Sequence, residues 1–128
     1  MSDAKKKILH VEDDKSVSML VKAVLERAGY QVFSAFDAMQ GLMMVRQVQP
    51  DLVVLDVMMP AGGGGSVHER IRQMSGSFST PILIYSATAP ADIAKKIPAD
   101  ALTLVLQKPA APAEIVAAVQ KLFENSAS

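Results

Sequence analysis

The 128-residue chain has no cysteine, which removes disulfides, thiolate catalysis and Cys-ligated zinc from consideration. It has no excess of either charge, since 13 Lys and Arg balance 13 Asp and Glu. Nucleic-acid binding driven by bulk charge is therefore disfavoured, and only a local basic patch would remain as a route to it. No apolar run approaches the ~20 residues of a membrane span. The run Ile8 to Val11 behind the basic start "MSDAKKK" is far too short for a signal peptide. Internal repeats, coiled-coil heptads and long charge runs are missing as well. Half of the residues are hydrophobic, enough for a sizeable core, and the expectation is a single soluble, cytoplasmic domain over residues 1–128.

What is present is alternation. Five short runs rich in Val, Ile and Leu have strand length: Lys7–Val11, Gln31–Ala35, Asp51–Asp56, Pro81–Ser86 and Thr103–Gln107. The third and fourth are nearly continuously apolar, as strands covered on both faces of a parallel sheet should be. Helical spacing fills the gaps. Val17, Leu20, Val21, Val24 and Leu25 share one face, with Gly29 where a C-terminal cap belongs. Ala38–Val48 repeats the pattern and stops before Pro50; Ser66–Met74 and Ala91–Ile97 are shorter, and the last helix opens at Pro112. The tail "ENSAS" is expected to fray. This order predicts an α/β domain with helices on both faces of a parallel sheet, whose ligands gather beyond the carboxyl ends of the strands.

Those ends are where the chemistry collects. Strand one runs into Glu12 and Asp13, then Asp14; strand three ends in Asp56, strand four in Ser86 and Ala87, and strand five in Lys108 and Pro109. Two carboxylates ~4 Å apart repel by about 4 kcal/mol at an effective dielectric near 20, so Glu12, Asp13 and Asp56 brought together need a cation. One divalent ion plus the Lys108 ammonium would cancel their formal charge, and hard oxygen ligands with open positions suit Mg²⁺. Asp14 is better read as the cap of the following helix, Asp13 as a metal ligand, and Glu12 as acting through a water.

The blocks "ILHVEDD", "DLVVLDVMMPAGGG", "PILIYSA" and "LQKP" resemble, in order and spacing, the signature blocks of bacterial response-regulator receiver domains. The resemblance covers Lys7 to Phe123, a core of about 7–123. It implies a flavodoxin-like (βα)5 fold, a doubly wound five-stranded parallel sheet in strand order 2-1-3-4-5. Asp56 would be the residue phosphorylated by a histidine kinase or histidine phosphotransfer protein. Asp13 would bind Mg²⁺ directly, Glu12 would assist, and the main-chain carbonyl of Met58 would complete the protein ligands along with Asp56. Ser86 and the backbone N–H of Ala87 would hold phosphoryl oxygens, Lys108 would pair with another, and Lys108–Pro109 would be cis. Output would pass to a downstream protein partner or output domain, with a phosphorylation-dependent dimer among the forms expected and no direct contact with nucleic acid or membrane. No output unit follows Phe123, so the resemblance fits a stand-alone receiver or a fragment of a longer regulator or hybrid kinase.

Three positions depart from the family pattern. Val105 stands where an aromatic usually lies on strand five, Ala110 where "KPF" is usual, and "AGGGG" after Pro60 where an acid commonly precedes the single glycine, here Gly64. Other motifs have plainer readings. "GGGGS", Gly62 to Ser66, lacks the Gly-Lys-Ser/Thr ending of a phosphate loop and reads as a flexible strand-to-helix turn. His10 reads as a packed or hydrogen-bonded strand histidine, and His68 as a residue on a helix surface. Met39, Met43, Met44, Met58 and Met59 read as fillers of core gaps or loops, and Lys95 and Lys96 as a solvated face. The competing enzyme reading, a phosphohydrolase with an aspartate nucleophile and Mg²⁺, wants a second acid at position 58, which is Met. A flavin-binding protein of the same topology ranks last, because the acidic loop after strand one repels a flavin phosphate.

Overall fold

A computed structural model describes residues 5–58 and 63–127. Strands and helices alternate strictly: β1 (Lys7–Val11), α1 (Lys15–Arg27), β2 (Gln31–Ala35), α2 (Ala38–Val48), β3 (Leu52–Leu55), α3 (Gly63–Gln73), β4 (Ile82–Ser86), α4 (Pro90–Ala94), β5 (Thr103–Gln107) and α5 (Pro112–Ala127). The sheet is parallel in order β2-β1-β3-β4-β5, the arrangement that the family resemblance implies.

Successive strand residues point to opposite faces, and both faces are covered. Leu9, Val11, Val53, Leu55, Ile82 and Ile84 pack with Val45, Val67, Ile71 and Ile93 of α2, α3 and α4. Ile8, Leu52, Val54, Leu83 and Tyr85 pack with Val21, Leu25, Ile115, Val119 and Leu122 of α1 and α5. Two-sided burial is why β3 and β4 read as unbroken apolar runs. Two glycines serve this packing. Gly29 follows the α1 cap at φ 101°, and the reversal it allows lets Tyr30 N–H bond back to Leu25 O at 3.1 Å. Gly41 lets α2 lie against β1, since a Cβ there would sit 3.0 Å from both Val11 methyl carbons. That close approach fixes the strand whose end carries Glu12.

Several local expectations needed correction. The helix α3 begins at Gly63, so Gly63, Gly64 and Gly65 are helical rather than a flexible turn, while Met59, Pro60, Ala61 and Gly62 lie outside the described residues. Each helical glycine costs about 1 kcal/mol relative to Ala; burial of Val67 and Ile71 against the sheet offsets it. Helix α4 is shorter than its spacing suggested, although Ile97 beyond it is still buried. The tail does not fray early, for α5 runs through Ala127. Of the methionines read as fillers, Met44 packs on the core, but Met39, Met43 and Met58 are exposed. On α2 the inward face is taken by Gly41, Leu42 and Val45, which leaves Met39 and Met43 to solvent. His68 is buried, not on the surface, and its Nε2 lies 3.1 Å from Thr103 Oγ1 and 3.6 Å from Asp100 Oδ2. Arg72 joins the same group, with Nε donating to Asp100 Oδ2 at 3.0 Å. Hydrogen bonds from Arg72 and Thr103 outweigh burial and hold the Asp100 carboxyl below its usual pKa. Among the described residues, no helix is long and apolar enough to cross a membrane.

Candidate functional site

The backbone ladder delivers the strand ends to one place. Glu12 N–H bonds Ala35 O at 2.9 Å, Asp56 N–H bonds Val11 O at 3.1 Å, and Lys108 N–H bonds Ser86 O at 2.8 Å. Residues distant in sequence thus emerge side by side at the carboxyl edge of β1, β3, β4 and β5. The Lys108–Pro109 peptide is cis, as the resemblance implied.

Lys108 Nζ donates to Glu12 Oε1 at 2.6 Å and to Asp56 Oδ2 at 3.3 Å. Glu12 and Asp56 are 1% and 4% exposed, so the ammonium bridges two carboxylates nearly stripped of water. Each acid has a second partner. Glu12 Oε2 accepts Asp14 N–H at 3.1 Å, and Asp56 Oδ1 accepts Met58 N–H at 3.0 Å. Burial pushes the Glu12 carboxyl above its usual pKa, with the Asp56 charge adding to the effect against the pull of Lys108. Burial works against the Lys108 charge, but the bond to Glu12 and the field of Asp56 raise its pKa all the same.

Asp13 is exposed beside this pair. One carboxylate oxygen from each of Glu12, Asp13 and Asp56 lies within 4.8 Å of the others, a set that could hold a hard cation. Three acids against one ammonium leave a net deficit of positive charge, so the donor set and its charge both suit a divalent ion. Asp14 is the helix cap, its Oδ1 accepting Ser16 N–H at 2.8 Å and Val17 N–H at 3.2 Å. Ser86 is fully buried at the end of β4, Ala87 is exposed next to it, and Met58 is 63% exposed.

Two neighbours of the site, Thr88 and Tyr85, carry too little signal to be singled out from sequence, and a third, His10, differs in its state from the sequence reading. Thr88 is hydrogen-bonded to Ser86 through both its amide and its hydroxyl. Tyr85 places its ring 5.6 Å from Lys108 Nζ and accepts Ala110 N–H on its hydroxyl at 3.3 Å. An aromatic therefore stands beside Ala110 after all, supplied by β4. His10 was noticed, but its state was not: it is fully buried, and neither ring nitrogen has a partner among the described residues.

Burial, reinforced by the Lys108 charge and only partly opposed by Asp56, lowers the His10 pKa from 6.5 to about 4. The folded chain thus keeps His10 neutral at pH values where the unfolded chain protonates it, and stability falls as pH drops from 6.5 toward 4. The effect reaches about 3 kcal/mol at the bottom of that window. His10→Leu should flatten this part of the profile. Urea midpoints of native and variant chains between pH 6.5 and 4, in metal-free buffer, are the check, and parallel profiles would refute it.

A doubly wound parallel sheet with acids at the ends of its first and third strands and a lysine at the end of its fifth defines a flavodoxin-like protein built around an acidic cluster bridged by that lysine. The chain belongs to the response regulator receiver domain family, whose model matches residues 8–120. It is 40% identical over 81 residues to the DNA-binding dual master transcriptional regulator RpaA of a Synechocystis species, covering 63% of this chain and 34% of that protein. It is 35% identical over 121 residues to the DNA-binding response regulator MtrA of Mycolicibacterium smegmatis, covering 94% of this chain and 51% of that one. Among solved structures, the chemotaxis protein CheY4 of Vibrio cholerae superposes with a TM-score of 0.83 at 30% identity, covering 93% of this chain and 99% of that chain. The chain spans about a third of the length of RpaA and about half that of MtrA. Receiver domains are signalling domains, and this chain carries that fold and that acidic cluster.

Proposed function

We propose that the chain accepts a phosphoryl group on Asp56 from a histidine kinase or histidine phosphotransfer protein, in a Mg²⁺-dependent reaction, and so switches its contacts with partners. The observation that carries this reading is the Lys108 ammonium held between Glu12 and Asp56, at 2.6 and 3.3 Å, beside exposed Asp13. Glu12, Asp13, Asp56 and the carbonyl of Met58 would hold Mg²⁺, which when bound supplies positive charge against the phosphoryl oxygens.

An Asp56 carboxylate oxygen attacks phosphorus; the new P–O bond forms as the P–N bond to the donor imidazole breaks, and the imidazole leaves with its electron pair. Lys108 pairs with one phosphoryl oxygen, the Ser86 hydroxyl donates to another, and the Ala87 N–H supports the same charge. Burial of Asp56 and Glu12 keeps bulk water from weakening these contacts. Exposed Met58 offers no proton for turnover of free phosphoesters, so catalysis is confined to gain and loss of the chain's own phosphoryl group. The switch runs through Ser86 while Val105, 38% exposed on β5, contributes packing rather than an aromatic gate. A cytoplasmic setting, a single domain over 1–128, a downstream protein partner or output domain, and a dimer formed on phosphorylation complete the reading.

Incubation with acetyl phosphate should add one phosphoryl group by intact mass with Mg²⁺ and none with chelator, and sedimentation of the same samples reports any dimer. No mass gain under either condition would overturn the proposal.

A further inference from the structure

We propose that Thr88 is a positioning residue that holds the Ser86 hydroxyl away from the phosphoryl group and thereby sets how readily the switch closes; this rests on the phosphoacceptor reading above. Thr88 engages the buried Ser86 oxygen twice. Its N–H donates to Ser86 Oγ at 3.2 Å, and Ser86 Oγ donates to Thr88 Oγ1 at 3.3 Å. A serine hydroxyl has one proton and two lone pairs. Acceptance from the Thr88 amide can continue whatever the proton does. Donation cannot be shared: a proton given to Thr88 Oγ1 is not available to a phosphoryl oxygen. Thr88 and the phosphoryl group therefore compete for the same hydrogen.

When the phosphoryl group wins, the surroundings of Ser86 determine which segment moves. Ser86 O stays tied to Lys108 N–H at 2.8 Å, so the strand end is held on its β5 side. On the other side the chain enters α4 through Ala89, a cap position with no side-chain hydrogen bond. The first turn of α4 thus has no polar side chain at its cap to anchor it, and the Thr88 hydroxyl is the polar tie just upstream. Releasing it frees the segment between β4 and α4 to follow Ser86. Thr88 acts through Ser86 and touches no phosphoryl oxygen itself.

The test uses the full chain with Mg²⁺ and beryllofluoride, a stand-in for the phosphoryl group, titrated while the Ala87 amide resonance is followed. Thr88→Val, close in shape but without the hydroxyl, should bind beryllofluoride about three- to tenfold more tightly, the range for one neutral hydrogen bond removed from the free state. Thr88→Ser should restore native affinity. In a Ser86→Ala background, Thr88→Val should change nothing, because the competed proton is gone; a merely structural role would persist there. Unchanged or weaker binding by Thr88→Val, or the same gain without the Ser86 hydroxyl, would overturn the proposal while leaving the phosphoacceptor reading standing. If the native chain takes up no beryllofluoride, that reading fails and the latch fails with it.

Discussion

Asp56→Asn abolishes phosphoryl uptake from acetyl phosphate or phosphoramidate, by a factor on the order of 10³ or more, while leaving the fold intact. The amide has nearly the shape of the carboxylate and can still accept Met58 N–H, the bond that Asp56 Oδ1 makes at 3.0 Å. What it lacks is the anionic oxygen needed to attack phosphorus. Lys108 keeps its closer partner, Glu12 at 2.6 Å, so no buried charge is stranded. In metal-free buffer the variant should melt at the native temperature or above it, since the Asp56 charge is one of the causes that raise the Glu12 pKa. Intact mass and a thermal melt on the same sample separate lost chemistry from lost structure. Mg²⁺-dependent label persisting on the variant would remove Asp56 from its role.

Lys108→Met has the opposite signature, a large loss of stability. Methionine keeps the length and the apolar stem but leaves Glu12 and Asp56 facing each other without the ammonium. Removing one partner from a buried ion pair costs about 3–5 kcal/mol. The low end, about 3 kcal/mol, applies because the Lys108 side chain retains 17% exposure. The pH dependence comes from Glu12. Its folded pKa is already above 4.5 through burial, and losing the Lys108 hydrogen bond, which lowers it, raises it further. A group with a raised folded pKa favours the native state at low pH and penalises it as pH rises through that value. The deficit should therefore be larger at neutral pH and smaller at a more acid pH, where Glu12 takes up a proton. Urea melts at the two pH values, in chelator, provide the measurement. Equal stability of variant and native chain at pH 7 would show that the carboxylates are not desolvated in solution.

The fold was largely legible because its determinants are local and periodic. Strands such as Lys7–Val11 and helices such as Ala38–Val48 appear with the expected bounds, since apolar spacing, the acids that follow Val11 and the Pro50 that follows the helix need no knowledge of the partner surface. The failures occurred where tertiary packing overrode local preference. Gly63 to Gly65 form a helix because Val67 and Ile71 are buried by the sheet. His68 is interior because Thr103 and Asp100, far along the chain, lie against it. Met39 and Met43 are outside because other α2 residues took the inward face.

The candidate site divides the same way. Its acids, hydroxyl and lysine could be named from sequence because parallel strands all end on one edge, so strand-end residues must converge whatever the details. Order along the chain also determined Asp14 as a cap, since a cap needs only the backbone two and three residues ahead. Tertiary structure alone decided that Lys108 sits closer to Glu12 than to Asp56, that His10 is enclosed without a partner among the described residues, that Tyr85 stands beside Ala110, and that Thr88 holds the Ser86 hydroxyl. The physical reason is range. Periodicity and capping act over a few residues and leave a mark in the sequence, whereas hydrogen-bond choice and desolvation depend on ångström-scale distances between segments that meet only once the sheet has formed.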